Sequence, residues 1–161
     1  LRYEGMGPGN IAVIIESLTD NKNRTASNIR KIFQKYGGNL GTTGVASHNF
    51  KQSGILRIKK KNISDEKILE LAIEAGAEEC VSKEEYHEIS CSKDQFYKVK
   101  NLIEKDIFDF LHFGIEWIPN NELDLKEDEY KMAVSLIEAL DDDDDVQNVY
   151  SNLKEKKSNK K

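Results

Sequence analysis

The sequence has few of the features that mark membrane, secreted or metal-binding proteins. No run of apolar residues approaches the roughly 20 needed to cross a bilayer, and no charged start followed by an apolar segment predicts a signal peptide. The two cysteines, Cys80 and Cys91, are expected to be reduced thiols because nothing indicates secretion. The histidines, His48, His87 and His112, are predicted to lie in three separate strands, and they form no zinc-binding motif.

Catalytic signatures are scarce as well. A nucleophile needs a neighbouring base, and Cys80 or Cys91 would meet His87 only by an accident of folding. The Gly5–Gly9 segment precedes a strand and lacks the Lys-Ser/Thr of a phosphate loop, so a backbone bend is favoured. The run Asp141–Asp145 lacks the spacing of a calcium or magnesium loop, which favours an acidic connection between a helix and a strand. We therefore expect a non-enzymatic protein without catalytic residues, metal, cofactor or small-molecule substrate.

Charge is distributed unevenly along the 161 residues, although the net charge is only −5. Residues 1–62 carry a net charge of +8, residues 63–153 carry −17, and residues 154–161 carry +4. This asymmetry suggests that one surface approaches polyanions while another is kept away from them or faces a basic protein.

The stretch from Asp20 to Gly44 contains a polar loop, one short helix predicted over residues 25–36, and a glycine-rich exit. Its apolar side chains fall within one arc of about 100° on a helix, and they are Ile29, Ile32, Phe33 and Tyr36. Its basic side chains are predicted to form a stripe on the opposite face, and they are Arg24, Lys31 and Lys35. Asn23 or Thr25 is expected to cap the start, and Gly37 and Gly38 to end the helix. A cationic binding face is one interpretation, and an ordinary solvated amphipathic helix is the other.

The order of predicted elements indicates an α+β protein with two ferredoxin-like modules, one inserted into the other. Residues 54–118 read as strand, helix, two strands, helix and strand, which is the ferredoxin-like order. The chain before them reads as strand 11–15, helix 25–36 and strand 42–50, and the chain after them as a short strand 122–125, helix 127–140 and strand 146–150. We therefore predict a discontinuous domain, 1–52 plus 120–153, with a second domain inserted at 53–119. Residues 154–161 are predicted to be a disordered basic tail.

Several motifs stand out along the chain, and they are Tyr3–Gly9, Asn21–Thr25, Gly37–Gly41, Glu74–Glu78, Ile118–Pro119 and Asp144–Asn152. Together they resemble the motifs of the YebC family. Each motif is modest alone, but they occur in order from Tyr3 to Asn152. Met6 stands where the family has an aromatic residue, Asn10 stands where it has a glycine, and residues 45–49 match poorly. Family members begin with a basic helical domain that this chain does not show, and because the chain begins with Leu1 we expect a fragment or a processed product.

The resemblance implies a regulator of gene expression, since the family comprises probable transcriptional regulators and the mitochondrial translational activator of cytochrome c oxidase. It implies either a translation factor that contacts ribosomal RNA and a ribosomal protein, or a transcription factor on duplex DNA. We favour translation, because a body with a net charge of −17 would be repelled along bare duplex. The resemblance also implies a cytoplasmic location, or an organellar one if a preceding segment carries a transit peptide.

The basic residues indicate where nucleic acid would bind. Side chains of this kind position a phosphate backbone, and the loop before a helix N-terminus adds backbone N–H donors. The predicted nucleic-acid-binding residues are Asn21, Lys22, Asn23, Arg24, Thr25, Lys31, Lys35, Asn39, Lys51 and Arg57, with Lys59–Lys61 as an extension if they fold to the same side. Two alternatives remain: a protein-interaction scaffold, in which the Arg24 stripe would be buried or paired with acids, and an enzyme with a deep pocket.

Overall fold

The computed structural model describes residues 1–107 and 109–156. Its helices and strands, in chain order, are β1 (Arg2–Met6), β2 (Ala12–Ser17), α1 (Lys22–Lys35), β3 (Asn39–Leu40), β4 (Phe50–Lys59), α2 (Asp65–Ala75), β5 (Glu79–Ser82), β6 (Tyr86–Ser92), α3 (Phe96–Glu104), β7 (Phe110–Pro119), α4 (Glu127–Asp141) and β8 (Val146–Ser151). The chain forms two compact units. The discontinuous unit comprises residues 1–51 and the segment from residue 118 onward, and the inserted unit is Gln52–Trp117.

The inserted unit is a ferredoxin-like module. Its elements run β4-α2-β5-β6-α3-β7, and its four-stranded sheet has the order β5-β6-β4-β7. Strand β6 pairs antiparallel with both neighbours, and Ile89 lies opposite Leu56 on one side and Cys80 on the other. The core lies between this sheet and helices α2 and α3, where Leu56, Ile89 and Phe96 are almost fully buried.

The discontinuous unit has a related sheet built from distant parts of the chain. Its strand order is β3-β1-β2-β8, and β2 pairs antiparallel with both β1 and β8. Helices α1 and α4 contribute Phe33 and Leu136 to the core, where they meet buried β2 residues such as Val13. The spatial order is that of a ferredoxin-like module in which one inner strand, β1, comes from the start of the chain. The predicted α+β class with two ferredoxin-like modules is confirmed.

Helix α2 illustrates how local sequence sets the ends of an element. The Ser64 side chain accepts a hydrogen bond from the Lys67 N–H, and two acids occupy the first turn, where they favour the positive end of the helix dipole. Gly76 ends the helix at φ 88°, a left-handed conformation that costs a residue with a Cβ more than it costs glycine. These local signals set the bounds of the helix at Asp65–Ala75.

Two strand predictions were wrong, and the bend predicted for Gly5–Gly9 was confirmed only in part. The glycine-rich start is a strand up to Met6, and the bend follows at Pro8–Asn10, where Gly9 has φ 68°. The strand predicted over 42–50 is replaced by turns, and the neighbouring strands are a two-residue β3 and β4, which starts at Phe50. The strand predicted over 122–125 is reduced to one isolated bridge between Leu123 and Leu153. Of the predicted tail, residues 157–161 lie outside the described residues.

A buried carboxylate explains why the 42–49 segment needs no strand. Glu4 on β1 is 2% exposed, and its Oε1 accepts hydrogen bonds from the backbone N–H groups of Gly44, Ala46 and Ser47 at 3.0, 3.0 and 2.8 Å. Its other oxygen pairs with Arg2 at 3.0 Å. Burial raises the pKa of Glu4, but the N–H donors of the loop lower it by more, so the net shift is downward. The Glu4 carboxylate thus accepts hydrogen bonds from loop N–H groups that have no partner strand.

Replacing Glu4 by glutamine should show that the loop depends on this charge. The amide keeps the shape and one acceptor oxygen, so we expect a loss of about 1–2 kcal/mol in the free energy of unfolding at pH 7. Because the folded-state pKa is depressed, the carboxylate stabilises the fold fully above its ordinary value of 4.5, and this contribution is lost as pH falls through the lower folded-state value. Urea unfolding at pH 7 and pH 3 measures both effects. A Glu4→Gln deficit of equal size at both pH values would contradict this account, and the exposed Glu122→Gln change is the control.

Replacing Gly54 on β4 by alanine tests how tightly the core of the inserted unit is packed. A Cβ at this position would overlap the Phe96 ring and lie 2.9 Å from Cys91 Sγ. We expect Gly54→Ala to lower the free energy of unfolding by about 1–3 kcal/mol, because the surrounding core must move. Gly114→Ala in β7 is the matched control, since its nearest neighbour would lie 3.8 Å away. Equal stability of the two variants in thermal unfolding would contradict this expectation, because it would show that the Phe96 ring can move aside without loss of stability.

Candidate nucleic-acid interface

Helix α1 is held to its sheet by one face. Its buried residues are Thr25, Ile29 and Phe33, spaced four residues apart. The N-cap is Asn21, whose Oδ1 accepts a hydrogen bond from the Arg24 N–H at 3.1 Å, so the predicted caps Asn23 and Thr25 were wrong. This anchoring leaves the opposite face of the helix exposed along its whole length.

The exposed face of α1 is cationic throughout. The helix contains five basic residues and no acidic residue. All five are exposed, and in the described part of the chain no ion pair joins four of them to a carboxylate; these four are Lys22, Arg30, Lys31 and Lys35. We call these four side chains the α1 cationic face. Lys35 also lies 5.4 Å from the centroid of the Tyr36 ring.

Arg30 is a member of this face that the sequence analysis missed. It is exposed and adjoins Lys31 in the middle of the helix. Its position could have been recognised from the sequence, because the apolar arc runs through Ile29 and Phe33 and leaves position 30 pointing away from it.

Arg24 behaves differently from the other basic residues of α1. Its Nη2 donates to both carboxylate oxygens of Asp145 at 3.1 Å, and Asp20 lies 3.7 Å away. The buried Thr25 hydroxyl donates to the same carboxylate at 2.8 Å. The Thr25 hydrogen bond is the main cause that holds the pKa of Asp145 below its ordinary value; burial acts in the opposite direction, and the hydrogen bond and charge of Arg24 add to the lowering. Arg24 and Thr25 therefore join the start of α1 to the loop between α4 and β8.

The contact with Arg24 and Thr25 gives a structural role to Asp145, the last residue of the run Asp141–Asp145. The Asp145 N–H additionally donates to Asp143 Oδ1 at 2.9 Å, so the loop is ordered by its own carboxylates. Asp141, Asp142 and Asp144 remain exposed to solvent. Within the discontinuous unit, the acidic loop and the basic helix α1 are thus neighbours rather than opposite poles.

Arg57 lies in the inserted unit and is already engaged by two acids. Its guanidinium donates to Glu88 at 2.9 Å and to Glu116 at 3.1 and 3.3 Å. Burial lowers the pKa of Arg57, but Glu116 and Glu88 raise it by more, so the group is held in its charged form. His112 Nε2 lies 2.8 Å from Glu116 and joins the same cluster. A phosphate at Arg57 would have to compete with two carboxylates.

The remaining predicted residues are scattered over the discontinuous unit. Asn23, Asn39 and Lys51 are exposed, whereas Thr25 is fully buried and is available only to its protein partners. The structure therefore brings Asn21, Lys22, Asn23, Lys31 and Lys35 onto one helix. It assigns Arg24 and Thr25 to an internal contact.

Other chemistry-bearing residues are satisfied within the fold. His87 is fully buried between the Ser82 hydroxyl at 2.7 Å and the Ile63 carbonyl at 2.9 Å. Burial raises the pKa of both free thiols, Cys80 and Cys91, which disfavours the reactive thiolate. Across residues 1–107 and 109–156, no group of three or more potential metal ligands occurs, and no helix is long and apolar enough to span a membrane.

Comparison with known proteins decides the family. A family model described as the second and third domain of TACO1/YebC matches residues 1–153. The chain belongs to the TACO1/YebC family. This confirms the resemblance carried by the sequence motifs.

Individual TACO1/YebC relatives agree with this assignment. A protein of Pelagibacter ubique is 60% identical over 153 residues, and one of Geobacillus kaustophilus is 47% identical over 157 residues. Both are named probable transcriptional regulatory proteins, and the chain spans 64% of the length of each. The crystal structure of a conserved hypothetical protein from Aquifex aeolicus superposes with a TM-score of 0.89 at 37% identity, covering 100% of this chain and 67% of that one. The relatives are thus named as regulators, not as enzymes.

Removing the Asp145 carboxylate tests the contact between α1 and the acidic loop of this TACO1/YebC chain. We expect Asp145→Asn to lower the melting temperature, because Arg24 and Thr25 lose a shared charged acceptor. The folded-state pKa of Asp145 is depressed, so the difference from wild type should be full above the ordinary value of 3.8 and should shrink as pH falls below it. Asp144→Asn, which removes the same charge from an exposed neighbour, is the control in differential scanning calorimetry. Identical melting of the two variants would show that the contact contributes nothing.

Proposed function

We propose that this chain is the nucleic-acid-contacting part of a non-enzymatic regulator of gene expression that acts in translation. In this proposal the α1 cationic face docks on ribosomal RNA, while acidic surfaces of the chain contact basic ribosomal protein. The proposed setting is the cytoplasm. The chain spans 64% of its relatives' length, so the proposal concerns the part of the protein represented here.

The observation that carries the proposal is the lack of charge compensation on α1. Lys22, Arg30, Lys31 and Lys35 protrude from a helix that has no acid of its own. A helix rises about 1.5 Å per residue, so residues 22 to 35 lay these charges over a length of about 20 Å. Unpaired cations along a rigid helix suit the phosphate backbone of a nucleic acid, and none of them reads base edges.

Arg24 separates this proposal from the scaffold alternative. A pure protein-interaction scaffold would require the basic stripe to be buried or paired with acids. Only Arg24 has such partners among the basic residues of α1 in the described chain, and its partner Asp145 leaves the other four charges uncompensated. The binding surface is therefore centred on the second half of α1.

The choice of translation over transcription rests on the acids near α1. Helix α4 packs beside α1, and its first turn exposes Glu127, Asp128 and Glu129. A duplex lying along α1 would bring further phosphates toward these carboxylates and toward Asp141–Asp145. A ribosomal surface offers basic proteins beside RNA, so the same acids would find favourable partners.

Transcriptional regulation on duplex DNA is the second candidate. It is favoured by the names of the relatives, which are called probable transcriptional regulatory proteins. Phosphate contacts from α1 would serve a duplex as well as a folded RNA, so the cationic face is common to both candidates.

The deciding experiment measures binding to purified ribosomes and to a random DNA duplex across a salt series. We expect tighter binding to ribosomes, and we expect Arg30→Glu/Lys31→Glu/Lys35→Glu to weaken it by at least about tenfold at low salt, because each reversal removes a phosphate contact and adds repulsion. Arg24 is left unchanged, since its loss would also disturb the Asp145 contact.

The control reverses three charges elsewhere on the same unit, in the variant Lys126→Glu/Lys131→Glu/Lys154→Glu. It changes net charge equally and should retain most of the ribosome affinity. Duplex binding without a preference for ribosomes, with a salt slope reduced by about 2–3 in the α1 variant, would replace translation by transcription. Equal behaviour of the two triple variants would reject the α1 face as the docking surface.

A further inference from the structure

A cavity at one end of the inserted unit combines lysines with an aromatic ring. It has a volume of about 510 Å³, within the range of small-molecule sites. It forms where β4 ends, where the hairpin between β5 and β6 turns, and where β7 begins, and it is lined by Lys59–Lys61, Glu84, Glu85, Tyr86 and Leu111. None of these residues belongs to the α1 cationic face.

Backbone contacts build this cavity from segments about 25 residues apart in sequence. Lys59 lies opposite Tyr86 in the β4–β6 ladder, and the Lys60 N–H donates to the Glu85 carbonyl at 3.1 Å. The Lys60 ammonium is used internally: it donates to the Lys83 carbonyl at 2.8 Å and pairs with Asp65. Rigid backbone pairing thus places the neighbouring lysines beside the ring without help from a ligand.

Lys59 and Lys61 remain as cations without a carboxylate partner among residues 1–107 and 109–156. Lys61 is exposed and Lys59 is half-buried at the rim of the cavity. Two ammonium groups that flank one cavity and are not neutralised by the fold suit a phosphate group.

The floor of the cavity suits a planar ring. Tyr86 is half-buried, and its ring is held by two cations, with Arg57 Cζ at 5.9 Å and Lys83 Nζ at 5.6 Å from the centroid. Leu111 is 49% exposed although it is a large apolar side chain. An aromatic face and an aliphatic side chain around one space are the surfaces on which nucleobases stack.

The two carboxylates complete the set of groups. Glu84 and Glu85 are exposed on the hairpin turn and accept hydrogen bonds only. They would repel a second phosphate but would accept hydrogen bonds from ribose hydroxyls, which are the groups that distinguish RNA from DNA.

From these contacts we propose that this cavity is a binding site for one ribonucleotide, with the base against Tyr86 and Leu111, the phosphate at Lys59 and Lys61, and the ribose beside Glu84 and Glu85. The same chemistry is offered by a free nucleoside monophosphate and by one nucleotide of a single-stranded RNA. The site lies in the inserted unit and is independent of the proposed role of α1.

The test is a titration of the whole chain with four probes: adenosine 5′-monophosphate, uridine 5′-monophosphate, a ten-nucleotide oligo(U) and the matching deoxy-oligonucleotide. Heteronuclear NMR follows the amides of Tyr86 and Leu111, and fluorescence anisotropy follows the oligonucleotides. We expect saturable shifts at these amides and weaker binding of the deoxy probe. Shifts with the monophosphates assign the site to free nucleotides, and shifts with oligo(U) alone assign it to RNA.

Variants separate this site from general charge attraction. Lys59→Glu/Lys61→Glu should weaken binding at least about tenfold, because one phosphate contact is lost and repulsion is added. Leu111→Glu should do the same, because it removes the apolar surface for the base and adds a negative charge that repels the phosphate. Leu111 is half-exposed, so this change leaves the core intact. The control is Lys98→Glu/Lys105→Glu, two exposed lysines of the same unit, which should bind as wild type does.

Three outcomes would overturn the proposal. They are the absence of saturable shifts at Tyr86 and Leu111 with every probe, full binding by both cavity variants, and an equal loss in the Lys98/Lys105 control. The Arg30→Glu/Lys31→Glu/Lys35→Glu variant should keep its nucleotide shifts. A loss of ribosome binding in this variant therefore says nothing about the nucleotide site, and a loss of nucleotide binding in the cavity variants says nothing about α1.

Discussion

The discontinuous unit depends on the buried charge of Glu4. A carboxylate that leaves water loses several kcal/mol of hydration unless donors replace it, and here three backbone N–H groups and Arg2 do so. The loop that supplies these donors pairs with no strand, and it leads directly into β4 at Phe50. One ionised side chain on β1 thus satisfies a segment that would otherwise bury unpaired N–H groups.

Ion pairing inside the fold determines which basic residues remain available. Arg24 and Arg57 carry the same charge as Lys31, but Asp145 neutralises the first and Glu88 with Glu116 neutralises the second. The charge asymmetry of the sequence therefore does not divide into a basic pole and an acidic pole. Among the described residues, the cations that it leaves without a carboxylate partner include the α1 cationic face and, at the end of β4, Lys59 and Lys61.

The sequence contains the family motifs, the ferredoxin-like order and the ends of α2, because caps, periodicity and glycine positions are local signals. The sequence alone does not reveal the role of Glu4 or the pairing of Arg24 with Asp145. Both contacts join residues that only the tertiary fold brings together. Strand β1 was missed for a related reason: glycine and polar residues have low strand propensity, and pairing with β2 overrides it. The cavity beside Tyr86 likewise arises from strand register, which no motif encodes.

The sheet of the discontinuous unit combines strands from both ends of the chain, and this affects the order of folding. The inserted unit is contiguous and has all its strands before β8 is synthesised, whereas β2 must wait for β8 to cover its second edge, with Val13 finally opposite Ser151. Until then that edge is open to incorrect pairing. Folding of the inserted unit reduces this hazard, because the two segments of the discontinuous unit that flank it are then held close together. In the folded chain these segments are joined by a hydrogen bond of 2.8 Å from the Asn120 N–H to the Asn49 carbonyl. The loop that the discontinuous unit must close is thereby shortened, and its closure entropy falls.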